Sequence, residues 1–182
     1  LEVTAVAFKN QPGASDASLL NLAGDFTAEP DQTRRPNADP AIESANLKSR
    51  GNEFLSKGKL DEAADCYRQA ISLNPRHAEA HLNLGFVMRE QGLHDDAARS
   101  LRQAIQINPE LEDAFYILGA IAEEQGDFQA AIEYLSKAIE LNPAFEVAYR
   151  DLCRALYRGG QYEYTEKTIE KGMSLNPDNA DF

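Results

Sequence analysis

A chain of 182 residues, 43% hydrophobic and 26% charged, holds enough apolar material for one ordinary domain and excludes disorder throughout. Eighteen basic against 30 acidic side chains leave a net charge of -12, so affinity for nucleic acid through phosphate neutralisation is not expected of the whole molecule. No apolar run approaches the roughly 20 residues that cross a bilayer, no secretory signal opens the sequence, and two cysteines outside any Cys-x-x-Cys pair fit a reducing, cytoplasmic compartment.

Residues 1–39 carry six acids, three bases and Pro12, Pro30 and Pro36 among Ala, Ser, Asp and Asn. With little to form a core, this stretch is expected to be a flexible acidic tail. Two patches stand out in it: Val3 to Phe8 is rich in β-type residues, and Ser18 to Leu22 has the makings of one helical turn stopped by Gly24.

From residue 40 the sequence repeats itself. Asn-Pro pairs stand at Asn74-Pro75, Asn108-Pro109, Asn142-Pro143 and Asn176-Pro177, with every step between them the same length. Aligned on those prolines, Gly58, Gly92, Gly126 and Gly160 share one column, and Ala63, Ala97, Ala131 and Thr165 another. Further columns hold Ala70, Ala104, Ala138 and Gly172, and Gly51, Gly85, Gly119 and Cys153. Each unit reads as two helices. The first, such as 78–91, runs to the glycine column, where positive φ costs least; the second, such as 95–107, ends before Asn-Pro, because proline restricts the residue ahead of it. The small columns are the places where two helix backbones approach closely, with Leu84, Leu118, Leu101 and Leu135 filling the gaps between.

The 34-residue period, the steps Leu84-Gly85 and Leu118-Gly119, the alanine columns and the terminal proline resemble the tetratricopeptide family. The resemblance covers about residues 44 to 177. It implies an all-α, right-handed α-solenoid of four helical hairpins (44–77, 78–111, 112–145 and 146–179), within a domain of 40–177 followed by a short remnant, 178–182. The fourth unit departs from the pattern at Cys153, Thr165 and Gly172.

Such a solenoid lines its concave groove with the first helix of each unit, which places Lys48, Asn52 and Leu55, then Leu82, Asn83, Phe86 and Arg89, then Asp113, Tyr116, Ala120 and Glu123, then Arg150, Arg154, Tyr157 and Arg158 along it. Arg150, Arg154 and Arg158 follow at i, i+4 and i+8 on one helix face and suit carboxylate or phosphate recognition; the alternative is that Asp151, Glu146 and neighbouring acids pair with them at the surface. Lys48, Asn52 and Asn83 resemble three members of the carboxylate clamp with which some tetratricopeptide domains hold chaperone tails ending in Glu-Glu-Val-Asp. Asp113 and Ile117 occupy the positions where that clamp needs Lys and Arg. Leu82, Phe86 and Tyr116 make an apolar strip between the two polar stations, unless they are consumed in packing. His77 and His81 share a spacing with zinc ligands but lack a third; His81 and His94 sit in columns of packing residues. Cys66 and Cys153 are expected to be small buried hydrophobes.

The sequence holds no nucleophile elbow, P-loop or dinucleotide fingerprint, and no cofactor is expected. The expected function is a non-enzymatic scaffold or adaptor that holds a peptide or partner helix, with acidic and apolar residues, in the groove. The alternatives are the substrate-selecting arm of a larger enzyme, an arrangement similar to that of O-linked N-acetylglucosamine transferases, and an assembly factor of an envelope or secretion machine. The tail's Leu19, Leu20 and Leu22 match the same ligand description and would compete for the groove. Self-association through the fourth unit is expected from Ile169, Met173 and Leu175, which lack a following helix to cover them.

Overall fold

The computed structural model describes residues 39–175, and among these residues all regular structure is helical. The expectations for the tail, its two patches and the remnant 178–182 lie outside the described residues. Eight helices run in chain order: α1 (Pro40–Ser56), α2 (Leu60–Leu73), α3 (Ala78–Glu90), α4 (His94–Ile107), α5 (Glu112–Glu124), α6 (Phe128–Leu141), α7 (Glu146–Arg158) and α8 (Tyr162–Leu175). They pair as α1–α2, α3–α4, α5–α6 and α7–α8 into the four hairpins the repeat implies, stacked in an α-solenoid.

Local chemistry sets each boundary. Asp39 caps α1, its carboxylate accepting from the Ala41 N–H at 2.9 Å while Pro40 fills the first helical position, where no amide hydrogen is needed. Inside every hairpin the glycine column has φ between 70° and 80°. The residue after each glycine donates back to the carbonyl five positions earlier, as Leu93 does to Met88 at 2.8 Å and Asp127 to Ala122 at 2.9 Å. This left-handed closure satisfies carbonyls that the helix end leaves open. The corners between hairpins are made by asparagine as much as by proline. Asn74, Asn108 and Asn142 are extended, as a following proline requires, and each side-chain carbonyl accepts from the N–H two residues on at 3.1 Å.

Packing follows the small columns. A Cβ added at Gly85 would stand 2.6 Å from Leu101 Cγ, and one at Gly119 2.7 Å from Leu135 Cγ, so these glycines let α3 touch α4 and α5 touch α6. At Gly51 the opposing side chain is Tyr67, which is fully buried. Ala63, Ala97 and Ala131 are sealed, as are Ala70, Ala104 and Ala138. The fourth hairpin shifts its bulk to the other helix: Cys153 replaces the glycine, Gly172 replaces the alanine, and Ile169, in the column of Tyr67, Leu101 and Leu135, is only half-buried.

Both cysteines are buried and unpaired, as their sequence positions imply. Burial pushes the Cys153 thiol up to about 11. His77 packs into the joint between the first two hairpins, where its Nδ1 lies 2.7 Å from Ser44 Oγ, which itself donates to the Ala70 carbonyl at 2.7 Å. His81 bonds the Pro75 carbonyl at 3.0 Å, and among the described residues no three metal-binding side chains come together.

Candidate interaction groove

The first helices of the hairpins, α1, α3, α5 and α7, present a common face whose polar side chains reach across from one hairpin to the next. The pairs follow a fixed offset, a little less than one repeat or a little more. Lys48 Nζ lies 2.5 Å from Glu79 and Asn83 Nδ2 donates to Asn52 at 2.9 Å, both 31 residues apart; Arg154 reaches Glu123 over the same separation. Tyr116 donates to Asp151 at 2.9 Å, Arg158 lies 3.4 Å from Glu123, and Arg89 pairs with Glu124, all 35 residues apart.

At the first station, the donors singled out in the sequence already have partners. Lys48 is ion-paired, and Asn52 accepts from both Asn83 and the Tyr67 hydroxyl, the latter at 2.7 Å. The pairs at this station are formed with Glu79 and Tyr67, in addition to the Asn52–Asn83 contact.

At the other station, the arginine stripe lies over two buried carboxylates. Glu123, 5% exposed, takes both Nε and Nη2 of Arg154 at 2.5 Å and Nη1 of Arg158 at 3.4 Å. Asp151, 3% exposed, takes Arg150 and Arg154 at 3.2 Å and the Tyr116 hydroxyl. The Arg154 hydrogen bonds hold the Glu123 carboxyl below its ordinary range despite burial, and the same bonds raise Arg154. Burial, reinforced by the Asp151 carboxylate, pushes the Tyr116 phenol up to about 12. Arg158 also lies over the Phe128 ring at 4.8 Å. The acid that dominates the stripe is thus Glu123 of the neighbouring hairpin; the sequence placed it in the groove without a role. Its signal is its distance along the chain from Arg154, which is the separation of Lys48 from Glu79 and of Asn52 from Asn83. The side chains of all three arginines remain roughly half exposed.

Between the stations lies an apolar trough of about 370 Å³, walled by Leu82, Phe86, Tyr116, Ile117, Phe145 and Val147, with Asn83 and Asp113 as its polar members. Leu82 and Ile117 are buried, Phe86 and Tyr116 half-buried, and Tyr116 stacks at a tilt on Phe145 with centroids 5.1 Å apart. Packing therefore consumes part of the strip, and the rest faces the trough. Phe145 and Val147, which no groove column contained, come from the corner entering α7 and its first turn.

A helical hairpin closed by a left-handed glycine and joined to the next through Asn-Pro recurs along the chain, and comparison with known families finds the TPR repeat at residues 51–92 and the tetratricopeptide repeat at 78–111 and 112–145. The chain belongs to the tetratricopeptide repeat family. Among solved structures this tetratricopeptide chain is similar to MamA, with a TM-score of 0.71 and 26% identity over 79% of this chain and 84% of that one. MamA 41-end from Desulfovibrio magneticus RS-1 (TM-score 0.68, 20% identity, 75% and 77% covered) and YrrB (0.68, 23%, 76% and 71%) share the fold. The human Protein O-mannosyl-transferase TMTC1 is 35% identical over 54 residues, which are 30% of this tetratricopeptide chain and 6% of the human protein. Among the described residues no helix is long and apolar enough to cross a membrane.

Proposed function

We propose that this tetratricopeptide chain is a non-enzymatic interaction scaffold that holds a peptide or partner helix in its concave groove, with an apolar side chain seated in the trough. The observation that carries this reading is the trough itself: half-buried Phe86 and Tyr116 bound a concave apolar space that no side chain among the described residues fills. The half-exposed arginines at the α7 end, Arg150, Arg154 and Arg158, support acidic residues in the same ligand, because part of each side chain faces water beyond its carboxylate partners. YrrB, described as having an unusual peptide-binding site, supports a binding role for the shared fold. The short likeness to a mannosyl-transferase supports the alternative, an arm serving a larger enzyme; the full reading frame distinguishes the two.

The test is selection of peptides from a displayed random library on the whole chain, followed by titration of the enriched peptides. Buried aromatic contacts carry more affinity than rim charges, so Phe86→Ala or Tyr116→Ala is expected to weaken binding by about 1 kcal/mol or more. Enriched peptides that bind both variants as tightly as the parent chain would place the ligand elsewhere.

The α8 end supports self-association as a further partner reading. Tyr157 and Tyr162, each 64% exposed, meet edge to face beside a depression of about 390 Å³ lined also by Thr165 and Ile169, and Met173 and Leu175 are exposed nearby in sequence.

A further inference from the structure

Among the described residues the trough has one charged wall residue, Asp113, and it differs from the other charged side chains of the groove. Lys48, Glu79, Arg89, Glu123, Glu124, Asp151, Arg154 and Arg158 are all ion-paired, whereas Asp113 has no hydrogen bond or ion pair with any described residue. Its polar companion, Asn83, donates one of its two amide N–H groups to Asn52, which leaves one N–H and the carbonyl oxygen of a neutral amide. The Tyr116 hydroxyl is donated away to Asp151. Among the described residues, the one charged group on the trough wall is therefore a carboxylate with no cation beside it, next to a neutral amide. Partial burial against the wall, followed by the Glu112 carboxylate, raises the Asp113 carboxyl, as expected of a carboxylate with no cation beside it.

We infer that Asp113 is a specificity-determining residue and that the partner segment carries a lysine or arginine next to the apolar side chain seated in the trough. This deepens the groove-binding reading and rests on it. An apolar pocket whose charged wall group is an unpaired carboxylate penalises a ligand that brings a second carboxylate there and favours one that brings a cation, and the net charge of -12 draws a basic segment toward the surface. Combined with the arginines at the α7 end, the groove has opposite charge preferences at two places. A ligand is thereby given a direction, its basic residue at Asp113 and its acidic residue toward α7.

The test uses the same displayed random library on the whole chain, on Asp113→Asn and on Phe86→Ala, with thermal melts showing that the variants fold; Asp113 is exposed, so the isosteric amide does not disturb packing. Peptides enriched on the parent chain are expected to place Lys or Arg close in sequence to an aliphatic or aromatic side chain, and Asp113→Asn is expected to lose that bias. In titrations, changing the peptide's Lys to Gln should weaken binding about two- to fivefold on the parent chain, as for an exposed charge pair, and much less on Asp113→Asn. Peptides that depend on Phe86 but show no basic bias, or the same bias on Asp113→Asn, would overturn the role of Asp113 and leave groove binding standing. Absence of any Phe86-dependent peptide would overturn groove binding and this inference together.

Discussion

Glu123 decides what the arginine stripe can do. Buried beneath Arg154 and Arg158, it converts a row of cations into a clasp between the third and fourth hairpins, and only the outer donor edges remain for a ligand. Glu123→Gln is expected to lower stability by about 1–3 kcal/mol, less than a wholly buried pair would cost because the arginines keep contact with water. The pH dependence follows from the depressed carboxyl. The unfolded chain binds the proton more tightly, so the contribution is present above about pH 4.5, the ordinary glutamate value, and is lost as pH falls through the lower value of the folded state. Melting temperatures between about pH 3 and 6 should fall less steeply in Glu123→Gln than in the parent chain; parallel curves would show that the clasp does not titrate. The arginine row was legible because its spacing lies within one helix, and Asp151 was legible as its neighbour. Glu123 was not, because its contact depends on the offset between helices of different hairpins, which periodicity along the chain does not express. Phe145 and Val147 escaped for a related reason: a corner delivers them to the trough, and helix columns do not count corners.

At the scale of the helix pair, two kinds of glycine do different work. Gly119 is needed for space, since a Cβ there would meet Leu135 Cγ at 2.7 Å, while at Gly92 nothing lies within 4 Å and only the φ of 75° demands glycine. Gly119→Leu is expected to destabilise by about 1–3 kcal/mol through overpacking, and Gly92→Ala by about 1 kcal/mol through backbone strain. Double-mutant cycles with Leu135→Ala separate the causes: coupling is expected with Gly119→Ala and none with Gly92→Ala. Equal coupling in both would mean that the two columns act through one mechanism. The hairpins themselves were readable because glycine, Asn-Pro and alanine each answer a local backbone or packing demand that recurs in every unit. The asparagine side chain's own hydrogen bond at each corner was less visible, as the proline beside it already accounts for the turn.

At the largest scale, among the described residues, helices touch only their neighbours along the chain, with the further contacts α1–α3, α3–α5 and α5–α7 linking successive first helices. The fourth hairpin departs in its packing columns and also exposes Tyr157, Tyr162, Tyr164, Met173 and Leu175. Sedimentation should accordingly show a mass that rises with protein concentration and a weaker rise in a Tyr157→Ser/Tyr162→Ser variant; a constant monomer mass at all concentrations would remove self-association. Neighbour-only contact has a mechanical side as well. Held in an optical trap by handles at residues 39 and 175, the stack of helices has among the described residues no long-range tie that must break before all others, so load is borne by one joint at a time. It should lengthen as a short series of separate rips, each freeing one repeat, or about 120 Å of contour, and behave as an extensible spring where a protein of the same size with interlocked ends would behave as a latch.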